Sequence, residues 1–196
     1  EEDVPVKTLV EEGEPAETIL QVAGERGCDL VVMGRRGLKR LEYVLIGSTT
    51  KQLVFRGTCD VLVMPRDSAI DARRVLLALD GAPRSPEAAA RAAKLVKASG
   101  EGVVILYAAD PSAEVMNQSL PVVEAASQRA SEIGVPVKVV VKEGKPAEVI
   151  TAGAKETGAT LIVLGRRLKP AVKPRLSGGL AEDVISSAVC PVLISG

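Results

Sequence analysis

The chain has 196 residues, with 25 acidic and 25 basic side chains and a formal charge of zero. Only 2% of its residues are aromatic, so the sequence offers neither a basic groove nor base-stacking side chains, and we do not expect it to bind nucleic acid. It contains no histidine, which excludes histidine-assisted nucleophilic catalysis, and no apolar run of membrane-spanning length, so we expect no membrane association.

The first predicted elements surround a glycine-rich loop. A short β-branched strand covers residues 29–33, and a helix is predicted from 48 to 55. Glycines in the loop let the backbone turn sharply and approach a ligand closely, while amides at a helix start attract anions. The pattern predicts a phosphate-binding loop, with a plain turn as the alternative. The candidate residues are Met33, Gly34, Arg36, Gly37, Gly47, Ser48, Thr49 and Thr50.

The remaining predicted elements alternate between strand and helix. Strands are predicted at 61–64, 74–80, 103–108, 135–142, 161–164 and 192–195, and helices begin near residues 85, 112, 146 and 179. Buried faces are predicted for two of these helices, one around Ala89, Ala92, Ala93 and Val96, the other around Ile150 and Ala154. Such alternation predicts an α/β fold with a parallel sheet and right-handed crossovers.

The sequence repeats itself with an offset of 131 residues, the distance from Gly34 to Gly165. Residues 15–17 correspond to 146–148, residues 34–36 to 165–167, and Cys59 to Cys190, without a gap. This self-similarity predicts a tandem duplication.

The two repeats are unequal in length. We call residues 1–65 the first segment and residues 73–196 the second segment, with residues 66–72 as a linker. The first segment has no counterpart of residues 73–131, which carry two strands and two helices. We therefore expect the first segment to be the C-terminal half of a domain, the second segment to be a complete domain, and the sequence to be part of a longer protein.

These residues resemble the universal stress protein family. The family's phosphate motif has two glycines separated by two residues, then nine residues, then Gly with Ser or Thr, and Gly34, Gly37, Gly47 and Ser48 satisfy every term. The resemblance implies a doubly wound, Rossmann-like sheet of the adenine-nucleotide alpha hydrolase-like type in two tandem copies. It also implies an adenine nucleotide ligand, ATP, ADP or AMP, which binds with or without Mg²⁺.

The resemblance assigns Asp80 to the adenosine part of the nucleotide, by its position at the end of a strand only. Its carboxylate would accept a hydroxyl or hold a phosphate-bound Mg²⁺ through water, and an acid that merely caps a strand end is the alternative.

The second glycine motif is altered. Gly165 and Gly178 keep the spacing, but Leu168 stands where the first motif has Gly37, and Gly179 replaces Ser48. Because the hydroxyl donors are lost, we expect ATP binding here to be disfavoured, and the alternative is that the amide-lined helix start holds a smaller anion or a monophosphate. The first segment keeps the phosphate half of a site and the second keeps the adenosine half.

Charged and thiol side chains carry further expectations. The arginines at 35, 36, 166 and 167 are expected either to clamp phosphate or to form a solvated face. Cys28, Cys59 and Cys190 lack metal-ligand spacing and are expected to be buried thiols of a cytoplasmic protein.

Three functions remain open from the sequence. The leading one is a cytoplasmic universal stress protein that binds adenine nucleotide as a regulatory ligand, with slow ATP hydrolysis or none, since no general base is evident beside the loop. A second is a non-catalytic scaffold or regulatory module of a larger protein such as a transporter, and a third is an ATPase or phosphotransferase. The resemblance implies that strands 61–64 and 192–195 pair between the segments. It also allows two copies of the chain to form a homodimer.

Overall fold

One seven-stranded sheet runs through the part of the chain that the computed structural model describes, residues 5–36, 46–79, 85–98, 101–109, 113–166 and 179–196. The strands are β1 (Leu30–Gly34), β2 (Asp60–Met64), β3 (Arg74–Leu79), β4 (Gly102–Ala109), β5 (Val137–Glu143), β6 (Leu161–Gly165) and β7 (Val192–Ser195). The helices are α1 (Pro15–Glu25), α2 (Ser48–Arg56), α3 (Ser85–Lys97), α4 (Ala113–Ser131), α5 (Pro146–Thr157) and α6 (Leu180–Ser187).

The strand order is β1-β2-β7-β6-β3-β4-β5, so strands of both segments belong to the same sheet. All neighbouring strands are parallel except β2 and β7, which pair antiparallel with Leu62 opposite Leu193. The α/β fold with a mainly parallel sheet is confirmed. Because of the antiparallel pair, β1 and β2 run opposite to the other five strands.

Helices cover both faces of the sheet because the central strands are apolar on both sides. In β3, Val75 and Leu77 pack on the face that α3 and α4 cover, whereas Leu76 packs on the other face with α5 and α6. All three side chains are fully buried. The predicted stripe of α3, with Ala89, Ala92, Ala93 and Val96, is confirmed as buried.

Helix α5 shows how local sequence sets its ends. Pro146 occupies its first turn, and Gly158 ends it with a left-handed backbone, φ 62°. The predicted buried face, with Ile150 and Ala154, is confirmed.

Strand β1 is an edge strand of the described sheet, and its side chains are more exposed than those of β6 at the same positions of the repeat. Leu30 and Val32 are 45% and 49% exposed, whereas Leu161 and Val163 are 5% and 0% exposed. Gly34, the last residue of β1, therefore lies on an edge strand. Within the described ranges, no helix combines the length and the apolar character needed to cross a membrane.

Candidate functional site

The loop after β1 is tied to the start of α2 by two hydrogen bonds. The hydroxyl of Thr50 donates to the Gly34 carbonyl at 3.0 Å, and the Gly47 amide donates to the Arg35 carbonyl at 2.9 Å. Thr50 is buried, and its hydroxyl proton is already used in the bond to the Gly34 carbonyl. We call this loop, residues 34–47, the first loop; the structure describes only its two ends, 34–36 and 46–47.

The N-terminus of α2 faces no capping side chain among the described residues. Gly47 is the residue before the helix and has no side chain with which to bond the first amides. Those amides lack carbonyl partners within a helix and carry the positive end of its dipole. Ser48 is exposed and Thr49 half-buried, and both belong to the first turn of α2 with these amides. This donor set suits a phosphate group.

The charges around the first loop also favour an anion. The first turn of α2 contains no acidic residue. Gly34 and Arg36 are exposed, and Met33 is half-buried at the end of β1. These residues come together at one end of the sheet as the sequence predicted, although the use of each by a ligand stays a prediction.

The second glycine motif has a different electrostatic character. Gly165 is exposed at the end of β6, and Gly179 precedes α6 without a side-chain cap. The first turn of α6 carries Glu182 and Asp183, which already supply negative charge where a phosphate would bind. Glu182 forms an ion pair with Lys51 of α2. The sequence comparison of glycines and hydroxyls missed these two carboxylates.

The two motifs lie at opposite ends of the sheet because β1 runs opposite to β6. The candidate residues therefore form two separate groups rather than one site. Gly37, Asp80 and Gly178 fall outside the described residues. Asp80 immediately follows β3, a parallel neighbour of β6, so its place in the chain associates it with the second motif.

Two arginines have roles that the sequence did not predict. Arg35 Nη1 donates to the carbonyls of Ile185, Ser186 and Ala188 at 3.2, 3.3 and 3.0 Å. Arg166 Nη2 donates to the Cys59 carbonyl at 2.9 Å. Neither side chain simply forms a solvated face, and both guanidinium groups are directed to the opposite segment.

Burial confirms that these two guanidinium groups are partly withdrawn from water. Desolvation, with a smaller contribution from the charge of Arg36, lowers the pKa of Arg35. Desolvation also lowers the pKa of Arg166, against the opposing effects of Cys59 and Asp60. Backbone carbonyls thus replace part of the solvation of both cations. The one sequence signal for this shared role is that residues 35 and 166 are equivalent in the repeat.

The expectation of three buried thiols is wrong for two of them. Cys190 is buried, Cys59 is half-buried and Cys28 is exposed. Cys28 follows the turn at Gly27 that ends α1, where the chain lies on the surface. In the ranges that the structure describes, no group of three acidic, cysteine or histidine side chains is arranged to hold a metal ion.

Known proteins match both segments. A sequence model of the universal stress protein family matches residues 1–65 and 72–195. Universal stress protein YxiE of Bacillus subtilis is 37% identical over 81 residues, which are 41% of this chain and 55% of that protein. A universal stress protein of Mycobacterium bovis is 29% identical over 197 residues, which cover 92% of this chain and 65% of that protein. The chain thus spans less than two thirds of the length of these two relatives.

Solved structures share the fold. A universal stress protein of Archaeoglobus fulgidus matches with a TM-score of 0.74 at 24% identity, over 93% of this chain and 65% of that one. A universal stress protein crystallised in complex with cAMP matches with a TM-score of 0.53 at 26% identity, over 62% of this chain and 94% of that one.

Proposed function

This chain belongs to the universal stress protein family, and from that membership we propose that it binds an adenine nucleotide, ATP, ADP or AMP, as a regulatory ligand in a cytoplasmic stress response. The proposed phosphate site is the first loop with the start of α2. A relative crystallised with cAMP supports adenine nucleotides as the class of ligand.

The observation that carries this proposal is the uncapped N-terminus of α2. Its first-turn amides, the exposed hydroxyl of Ser48 and the half-buried Thr49 form a donor set, with no carboxylate in that turn. A phosphate oxygen would accept hydrogen bonds from these groups and be stabilised by the helix dipole. Gly37 is proposed to leave room for the phosphate chain, as the family motif implies.

The second glycine motif is proposed to bind nucleotide more weakly. Glu182 and Asp183 lie in the first turn of α6, where they oppose a second negative charge. Gly165, Gly178 and Gly179 would then contact a smaller anion or a monophosphate, with Asp80 near its adenosine part.

The proposal includes a tandem arrangement, with the C-terminal half of one domain in residues 1–65 and a complete domain in residues 73–196. Equivalent contacts support it. The Arg35 amide donates to the Met64 carbonyl at 2.8 Å, and the Arg166 amide donates to the Ser195 carbonyl at 2.6 Å, at positions that are 131 residues apart in both donor and acceptor. The same loop-to-strand bond therefore occurs in both segments.

A charge reversal tests the proposed phosphate site. Ser48→Glu places a carboxylate in the first turn of α2, as α6 has naturally, so it should stabilise the helix while repelling phosphate. We expect the dissociation constant for ATP, measured by calorimetry, to rise at least tenfold without loss of thermal stability.

Gln52→Glu is the matched control, because it makes the same charge change one turn further along α2, where Arg56 Nη1 already donates to the Gln52 side chain. Because Gln52 is equivalent to Asp183 in the repeat, this variant should lose some affinity for ATP, but less than Ser48→Glu, about threefold at most. Equal affinity of Ser48→Glu and wild type for ATP would reject the first loop as the phosphate site.

A further inference from the structure

The first loop is connected to the far end of α6 through Arg35. The backbone of Arg35 is part of the loop, since its carbonyl accepts the Gly47 amide at 2.9 Å. Its side chain bonds the carbonyls of Ile185, Ser186 and Ala188, where α6 ends. The last carbonyls of a helix lack intrahelical donors and carry the negative end of the dipole. The last turn of α6 has no basic residue, so Arg35 supplies the cation.

Arg166 makes the reverse connection. It follows β6 in the second segment, and its Nη2 donates at 2.9 Å to the carbonyl of Cys59, just beyond the C-terminal end of α2. Its guanidinium also lies against Gly57, where a Cβ would approach Nη2 to 3.3 Å. Arg166 thus contacts the turn that follows α2, the helix whose N-terminus forms the first site.

Helix α2 is short and well packed, which suits it to carry a displacement along its axis. Its nine residues span about 13 Å. Thr50, Leu53 and Val54 are buried, so the helix is held as one body against the sheet. A shift at its C-terminal end would therefore reposition the amides and hydroxyls at its N-terminal end. Helix α6 is anchored in the same way through Val184 and Ile185.

On the basis of the proposed nucleotide site, we propose that Arg35 and Arg166 are reciprocal positioning residues that couple the N-terminus of α2 to the second segment. Through Arg35, a nucleotide phosphate bound at the N-terminus of α2 alters α6, and through Arg166 the second segment sets the affinity of that N-terminus for phosphate. If occupancy of the first site changes α6, then a change at the second segment must also change the affinity of the first site, because such coupling is reciprocal. One test below measures the affinity and the other measures α6.

The first test measures ATP affinity by calorimetry in the 196-residue chain. Arg166→Ala should raise the dissociation constant about fivefold or more, although Arg166 bonds the Cys59 carbonyl, beyond the end of α2 that lies opposite the first loop. Arg166→Lys keeps a cation near the carbonyl and should recover part of the affinity. If Arg166→Ala fails to fold, the affinity of Arg166→Lys is compared with the wild type instead. Arg56→Ala is the control: it removes a basic residue of α2's own last turn and should leave affinity within about twofold.

The second test measures hydrogen–deuterium exchange in the segment 180–190 with and without saturating ATP. In the wild type, ATP should slow exchange near the end of α6, where the Ala188 amide donates to the Val184 carbonyl at 2.8 Å. In Arg35→Ala saturated with ATP, this change should disappear or shrink at least threefold, and Arg35→Lys, which keeps a cation near the carbonyls, should recover part of it.

The outcomes separate this inference from the proposed function. If the wild type binds ATP and Ser48→Glu weakens binding, the proposed site stands. Unchanged exchange in α6 on ATP binding, or an unchanged affinity of Arg166→Ala, would then overturn the coupling alone. Absence of ATP binding in the wild type would overturn both.

Discussion

Arg91 Nη1 lies 2.6 Å from Asp60 Oδ2, and this contact joins α3 to the first residue of β2. Asp60 is 8% exposed, and its other oxygen accepts the Gly196 amide at 3.1 Å. A carboxylate at the junction between the segments therefore has both oxygens bonded.

We predict that Arg91→Ala lowers the free energy of unfolding by about 1–2 kcal/mol, because a mostly buried carboxylate loses its cation while the arginine itself is half in water. Urea denaturation measures the change. Arg129→Ala, which removes an exposed pair with Glu132, should cost less than about 0.5 kcal/mol. Equal effects of the two substitutions would contradict the importance of the Asp60 contact.

Two glycine substitutions should change stability in opposite directions. Gly24 is an exposed residue of α1, and an added Cβ would meet no other atom within 4 Å. Gly24→Ala should therefore stabilise the protein by about 0.5–1 kcal/mol. Gly158→Ala should destabilise it by about 1 kcal/mol, because its φ of 62° is left-handed and a Cβ would lie 2.6 Å from Arg74 Nη1. Thermal unfolding of both variants checks the signs, and stabilisation by Gly158→Ala would show that this helix end relaxes.

Cys190 should make the protein less stable at alkaline pH. Burial is the main cause that raises the pKa of its thiol. Between the unfolded pKa of about 8.5 and the higher folded pKa, the unfolded chain has lost the proton that the folded protein keeps, so stability falls as pH rises through this window.

Urea denaturation at pH 7.5, 8.5 and 9.5 tests this effect. Cys190→Ala should cost about 1 kcal/mol at pH 7.5 and should show a smaller further loss up to pH 9.5 than the wild type. Cys28→Ala, at an exposed position, should retain the wild-type pH dependence. If the free energy of unfolding fell equally with pH in the wild type and in Cys190→Ala, the alkaline loss of stability would not arise from Cys190.

Nucleotide should act by occupancy rather than by turnover. Neither loop can use a histidine as a general base, since the chain has none. A nucleotide that binds only the folded state should stabilise it by roughly 2.7 kcal/mol at a hundredfold excess over its dissociation constant. A poorly hydrolysed ATP analogue should raise the melting temperature about as much as ATP. Steady-state hydrolysis at about 1 s⁻¹ or faster would instead support the ATPase or phosphotransferase alternative.

The pattern of glycines, hydroxyls and β-branched strands was sufficient to predict the α/β class, most strands and the location of the first loop. These features are local: a strand or helix start is set by residues within a few positions, and Gly47 and Ser48 adjoin the helix that they begin. The offset of 131 residues likewise identified Arg35 and Arg166 as equivalent, although it indicated nothing of their partners.

The amino-acid sequence by itself therefore determined the alternation of strands and helices and the buried faces of α3 and α5, because short-range periodicity encodes them. Only the tertiary structure decided that Leu62 faces Leu193 and that Arg35 reaches α6, contacts between residues more than a hundred positions apart. Because β2 and β7 pair antiparallel, β1 and β2 run opposite to the other strands, and Gly34 and Gly165 lie at opposite ends of the sheet. Such contacts depend on how packed surfaces meet, which no local pattern specifies.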